Sequence, residues 1–198
     1  MEPWQIILIV ITALVVIVIG WWISTSNKLK VMGVKIDEAL SGIDVALTKR
    51  YDLLTKVVAT VKGYAKHEEE TLTKIIAMRN PGSAATLMEK QEFAAQTTEA
   101  IKSINIVAEQ YPNLKADVQF VGLQNSIRDV EEQLQAARRL YNANVSRYNQ
   151  AIIVFPASIV ANAAHLTKRD FFEAEETKRK DMEKRKILVR WSCGNSCN

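Results

Sequence analysis

The side chains best placed to do chemistry together are Glu131, Arg138, Asn142 and Asn149. Their spacing of 7, 4 and 7 residues puts all four within about 20° of a common direction on a helix turning 100° per residue. A carboxylate, a guanidinium and two amides in one column can do three things. They can form a hydrogen-bonded polar layer that fixes helix register, pair with another copy of the chain, or hold a small polar ligand. No nucleophile stands beside a base among them, so the column does not read as catalytic.

The other candidates are weaker. His67-Glu68-Glu69-Glu70 has metal-ligand chemistry but lacks the second histidine of an H-E-x-x-H site, since Glu70 and Thr71 stand three and four residues on. It reads as a solvated helical turn. His165 closes a short apolar run, where its imidazolium would complement a helix dipole, and it reads as a cap. Cys193 and Cys197 fall in the last six residues, without companion ligands for zinc, and read as a disordered end. Neither a glycine-rich phosphate loop nor a Cys/His nucleophile arrangement is present. The expectation is a chain with no catalytic activity, no cofactor and no metal.

The elements that carry these residues are helical. Only 7 Gly and 4 Pro occur in 198 residues, which favours long helices over a turn-rich β fold. Apolar residues recur by threes and fours at Ile36, Leu40, Ile43, Leu47, Leu54, Val58, Val61 and Ala65, the mark of one buried helix stripe. A second run, Leu72, Ile75, Ile76 and Met78, carries on to a stop at Asn80-Pro81-Gly82-Ser83, with Ser83 as the expected N-cap of the next helix. From Ala84 to Gln110 the stripe starts weakly and ends cleanly, and Tyr111-Pro112-Asn113 then turns the chain. The strongest helix starts near Ala116. Its near-heptad stripe of Leu123, Ile127, Val130, Leu134, Ala137, Tyr141, Val145, Tyr148 and Ile152 ends at Phe155-Pro156. Ser158 to His165 reads as a short apolar helix, and Asp170 to about Leu188 as a final charged one. The fold class is all-α: an N-terminal transmembrane helix, then an antiparallel bundle of three to four long helices.

Trp4 to Ile23 has no charged residue. About 20 residues at 1.5 Å each span about 30 Å, the hydrocarbon thickness of a bilayer. Trp4 at one end and Trp21 and Trp22 at the other stand where indoles anchor at headgroups. Residues 1–5 lack the basic start of a cleaved signal peptide. The anchor is expected to run on into the first body helix as a stalk. Lys28, Lys30 and Lys35 follow it, against Glu2 before it. The positive-inside rule therefore puts the N-terminus outside and the body in the cytoplasm, an extracytoplasmic body being the alternative.

The net charge of +4 is concentrated at one end. Lys178 to Arg190 holds seven basic and two acidic residues, leaving the rest of the chain at about −1. A nucleic-acid partner would need a basic face with stacking aromatics on the body, and neither is visible. The tail reads as a solvated helix whose Lys178, Arg179, Lys180, Lys184, Arg185 and Lys186 could touch anionic lipid headgroups. The division expected is 1–27 as membrane anchor, 28–176 as helical bundle and 177–198 as basic tail.

Several stretches carry a family resemblance. They are TKRYDLLTKVVATVKGYAKHE at 48–68, AEQYPNLKADVQFVGLQ at 108–124 and EEQLQAARRLYNANVSRYNQAIIVFP at 131–156. DFFEAEE follows at 170–176. With its paired Tyr-Asn steps at Tyr141-Asn142 and Tyr148-Asn149, the chain resembles the LemA family of bacterial membrane proteins. The resemblance implies one N-terminal anchor in the bacterial cell membrane with the N-terminus outside, and a helical bundle. It implies no reaction, and it does not extend to the tail after Glu176. The function expected is a scaffold that self-associates into a homo-oligomer through its long helices. A sensor or adaptor binding an unidentified partner protein is the alternative.

Overall fold

The computed structural model describes residues 2–65 and 68–172. Six helices follow one another: α1 Pro3–Tyr64, α2 Glu69–Ile76, α3 Leu87–Gln110, α4 Pro112–Lys115, α5 Val118–Ile153 and α6 Ala157–Ala163. The described residues contain no strand. α1 has no break between its apolar beginning and its amphipathic continuation, so 62 residues form one helix, about 93 Å long. The described residues fall into two units, 2–43 with 134–171, and 44–133 with 172.

In the first unit, the apolar start of α1 is exposed all round up to Ile23. Burial begins at Thr25 and Ser26 and is nearly complete at Leu29, 2% exposed, then recurs at Ile36, Ala39 and Ile43. On α5 the buried positions are Leu134, Tyr141, Val145, Tyr148 and Ile152. The Asn144 amide donates to the Lys35 carbonyl at 3.1 Å, and the Tyr141 ring stands in the field of Asp37. Rising numbers on one helix thus meet falling numbers on the other, and the two run antiparallel. α6 ends in a Schellman motif: the Leu166 N–H bonds the Ala161 carbonyl, and the His165 N–H that of Asn162. His165 takes the left-handed conformation this requires, φ 51°, so its capping role is carried by its backbone.

The second unit is a four-legged bundle. Asp44 and Arg50 on α1 meet Lys90 and Ala94 on α3, so these helices run parallel. The chain can reach that arrangement only by coming back between them. The return leg is α2 with residues 77–86: the Tyr51 hydroxyl bonds the Met78 carbonyl, and the Asn80 amide the Thr48 hydroxyl. α5 descends against α1, with Tyr64 opposite Asp117 and Arg50 opposite Glu131. Leu54, Val57, Val58 and Val61 of α1, Leu72 and Ile75 of α2, Ile104 and Val107 of α3, and Phe120 and Ile127 of α5 share one core.

Four expectations change. The stripe that ends at Ala65 does not continue helically to Asn80; α1 stops at Tyr64 and α2 lies on the return leg. The Asn80–Ser83 turn does not start α3. Asn80 accepts from the Gly82 N–H at 3.1 Å, and Gly82 takes φ +77°, a conformation glycine adopts without the Cβ penalty. The N-cap is Thr86, not Ser83. Its hydroxyl accepts from the Glu89 N–H while the Glu89 carboxylate accepts from the Thr86 N–H, a reciprocal capping box. Residues 168–172 are not helical, so no helix begins at Asp170; residues 173–188 of that expected helix lie outside the described residues.

The termini of α3 and α5 are held by carboxylates. Glu89 is held below the usual carboxylate range by the Thr86 N–H and hydroxyl. Asp117 caps α5 and is held low by the Phe120 N–H and then by the Tyr64 hydroxyl. Groups with depressed folded pKa values stabilise above their unfolded pKa and lose that contribution as pH falls through the folded one. Thr86→Ala is expected to cost about 1 kcal/mol in urea unfolding followed by circular dichroism. The stability gap between wild type and Asp117→Ala is expected to shrink on acidification. A gap that widens below pH 4 would contradict the capping role of Asp117.

Candidate functional site

Helix α3 begins weakly in its apolar pattern because it buries a cation there. Lys90, 1% exposed, lies on the core face with Phe93, Ala94 and Thr97. Its ammonium donates to Asp44 Oδ2 at 2.7 Å and to the Ser83 carbonyl at 3.0 Å. One turn along, Arg50, 3% exposed, reaches Glu131 Oε2 at 2.8 Å, Thr98 Oγ1 at 3.0 Å and the Ala94 carbonyl at 3.3 Å. Beside it the Tyr51 ring meets Phe93 at 5.7 Å between centroids, tilted by 55°. Two buried cations thus join α1, the return leg, α3 and α5 in one polar layer. A buried charge is tolerated only when paired and hydrogen-bonded, and both are.

The expected polar column is divided. Glu131 serves the buried layer through Arg50. Asn149 belongs to the other unit, where it grips a backbone: its Nδ2 donates to the Arg169 carbonyl at 2.8 Å and its Oδ1 accepts from the Arg169 N–H at 2.9 Å. Next to it, the Tyr141 hydroxyl donates to the Asp170 carbonyl at 3.0 Å. Burial is the main cause that raises the Tyr141 pKa; Arg169 opposes it, and Asp170 and Asp37 add to it. The Tyr-Asn steps therefore hold the extended strap at 168–170 against α5. Arg138 and Asn142 lie half-buried on α5 between these two contacts.

Sequence reading passed over Arg50, Lys90 and Tyr51. One signal was available: Arg50 interrupts an otherwise apolar stripe at a position where its neighbours by three and four, Leu47, Ala46, Leu54 and Leu53, are all apolar. Elsewhere, an open groove of about 460 Å³ lies among α3, α4 and α5, lined by Asn105, Glu109, Lys115, Phe120, Gln124 and Arg128. The Gln124 amide donates to Asn105 across one wall at 2.8 Å. The charged lining of the groove is one carboxylate, Glu109, and two cations, Lys115 and Arg128. Among the described residues no cluster of three or more His, Cys, Asp or Glu could hold a metal. His67, Lys178, Arg179, Lys180, Lys184, Arg185, Lys186, Cys193 and Cys197 lie outside the described residues. Trp4, Trp21 and Trp22 are exposed on α1.

Comparison with known proteins places these features. The profile of the LemA family matches residues 39–184. Protein LemA of Metamycoplasma hominis is 29% identical over 164 residues, which cover 82% of this chain and 75% of that protein. The match begins on α1 after its apolar part and takes in the buried cation layer and the strap.

The layer predicts a sign pattern in double-mutant analysis. Lys90→Met leaves the Asp44 carboxylate without its cation and is expected to cost about 3 kcal/mol in urea unfolding. Adding Asp44→Leu removes the orphaned charge and is expected to restore most of that loss. A double variant no better than the single one would mean that the pair does not act as a unit.

Proposed function

The chain belongs to the LemA family, and within it we propose a membrane-anchored helical scaffold that self-associates and performs no catalysis. The observation that carries this reading is the unbroken α1. One helix is long and apolar enough at its start to cross a membrane, and further along it forms a wall of the folded body. A body joined to its anchor by continuous helix inherits the orientation of the anchor, as a scaffold requires. The bacterial cell membrane fits this reading, with the body cytoplasmic on the strength of Lys28, Lys30 and Lys35.

The surface open to self-association differs from the one the sequence indicated. The stripes on α1 are covered within the chain, Leu54, Val57 and Val61 being fully buried, because the return leg supplies the missing partner. Uncovered apolar residues remain on the outside of the first unit, at Val31 and Val34 of α1 and Leu140 of α5. Confinement to a membrane raises the effective concentration of such faces. The polar column then serves register within the bundle, through Glu131 and Asn149. The groove at Asn105 and Arg128 is the feature that favours an adaptor, since it could receive a segment of another protein.

Alkaline extraction is expected to leave the protein in the membrane pellet. Light scattering of the detergent-solubilised protein, corrected for detergent, should give a multiple of 22.3 kDa. Val34→Glu with Leu140→Glu should lower it towards one chain without loss of helicity. A wild-type mass of one chain ends the scaffold reading and leaves the adaptor. For orientation, Cys193 and Cys197 should resist a membrane-impermeant thiol reagent in cells whose outer layer is permeabilised. Their labelling would reverse the assignment.

A further inference from the structure

The corner between α5 and α6 gathers several exposed apolar residues. Ile153 ends α5, Val154 and Phe155 lie in the turn after it, and Ile159 follows on α6; Phe155 is 75% exposed and the other three 50% or more. Exposed apolar residues scattered singly need no explanation, but four within seven positions at the tip of a helix do.

Their height along α1 follows from the antiparallel register of the first unit. The Asn144–Lys35 hydrogen bond aligns the two helices. Ile153 lies nine residues beyond Asn144, about 14 Å along α5. The same rise back from Lys35 reaches Ser26. Burial agrees with this: cover on α1 starts at Thr25 and Ser26, and Trp22 stands one turn below. The apolar corner therefore sits at the level where the anchor leaves the bilayer.

Among the described residues, the charges nearest the corner in this register are basic, and Asp37, Glu38 and Asp170 stand at the far ends of the two basic stretches, where Asp37 meets Arg169 at 4.0 Å. From Pro3 to Ile36 and from Gln133 to Arg169 there is no Asp or Glu, while eight Lys and Arg occur: Lys28, Lys30, Lys35, Arg138, Arg139, Arg147, Lys168 and Arg169. Of these, Lys28, Lys30 and Arg147 are exposed close to the corner. An apolar tip beside exposed Lys28, Lys30 and Arg147 is complementary to an anionic leaflet, whose headgroups lie above its acyl chains.

We propose that the α5–α6 corner is a second membrane contact, in which Ile153, Val154, Phe155 and Ile159 enter the interfacial zone of the leaflet on the body's side and Lys28, Lys30 and Arg147 meet anionic lipid headgroups. This rests on the membrane-anchored reading above. Two contacts, one spanning and one interfacial, fix the tilt of the body, which a single helix leaves free to swivel. A second copy of the chain is the competing occupant. It would have to bring an apolar face to the headgroup plane past Lys28, Lys30 and Arg147, which it carries too.

The test uses the full-length protein with Cys193→Ser and Cys197→Ser, reconstituted in phosphatidylglycerol–phosphatidylcholine vesicles. A single environment-sensitive fluorophore is placed by V154C, by V16C in the span or by M88C on the body. Lipids carrying a spin label near the headgroup and aqueous iodide serve as quenchers. V154C should show blue-shifted emission and at least twofold more lipid quenching than M88C, and K28E with R147E should reduce that difference. Equal iodide quenching at V154C and M88C, with V16C still quenched by lipid, overturns the second contact and leaves the anchor intact. Protection of V154C from both quenchers overturns it in favour of a second copy. A V16C probe untouched by lipid overturns the anchor reading itself.

Discussion

Everything in this fold depends on one helix changing the character of its surface along its length. For about its first 20 residues α1 is apolar on every side, which suits lipid. From Leu29 onward it is apolar on one stripe, and that stripe must be covered by protein. A helix cannot cover itself, so the rest of the chain is arranged to run beside it: α5 descends along its flank in each of the two units. In the second unit the return leg and α3 add the remaining walls.

The polar interior follows from this arrangement. Two parallel helices joined by a short α2 and an irregular leg leave backbone carbonyls facing inward without helical partners. Lys90 answers that need, bonding the Ser83 carbonyl as well as Asp44, while Arg50 ties Glu131 of α5 to the Ala94 carbonyl and the Thr98 hydroxyl of α3. A wholly apolar layer can match or exceed a buried ion pair in stability; Lys90 adds a directional tie to the leg beside those of Tyr51 to Met78 and Asn80 to Thr48.

The sequence made the helices legible wherever the pattern was clean: the apolar start came from its uncharged length, and the 54–61 run and the long α5 from periodicity. It concealed the chain reversal after Tyr64. No proline or capping pair marks that point, and the apolar positions of α2 continue the count of α1 closely enough to look like the same helix. Ser83 drew attention because it follows Pro-Gly, while the reciprocal Thr86–Glu89 pair three residues on was the better signal. Arg50 and Lys90 were hidden for a different reason. A charged residue inside a stripe reads as a register slip until its partner is known, and Asp44, Thr98 and Glu131 are distant in sequence. The column at Glu131 to Asn149 was visible as a column, but its partners, a guanidinium and a stretch of backbone, were not.

The clamps on α5 have a consequence for how the protein can vary. Asn144, Tyr141 and Asn149 each bond a main-chain atom, at Lys35, Asp170 and Arg169 in turn. Every residue type presents a carbonyl, so the gripped positions can mutate without releasing the grip. The gripping residues have no such latitude, because each contact needs that side chain's length and donors. The burden of recognition is thus one-sided. Neutral drift can accumulate along the strap and the stalk while α5 keeps the memory of how they are joined.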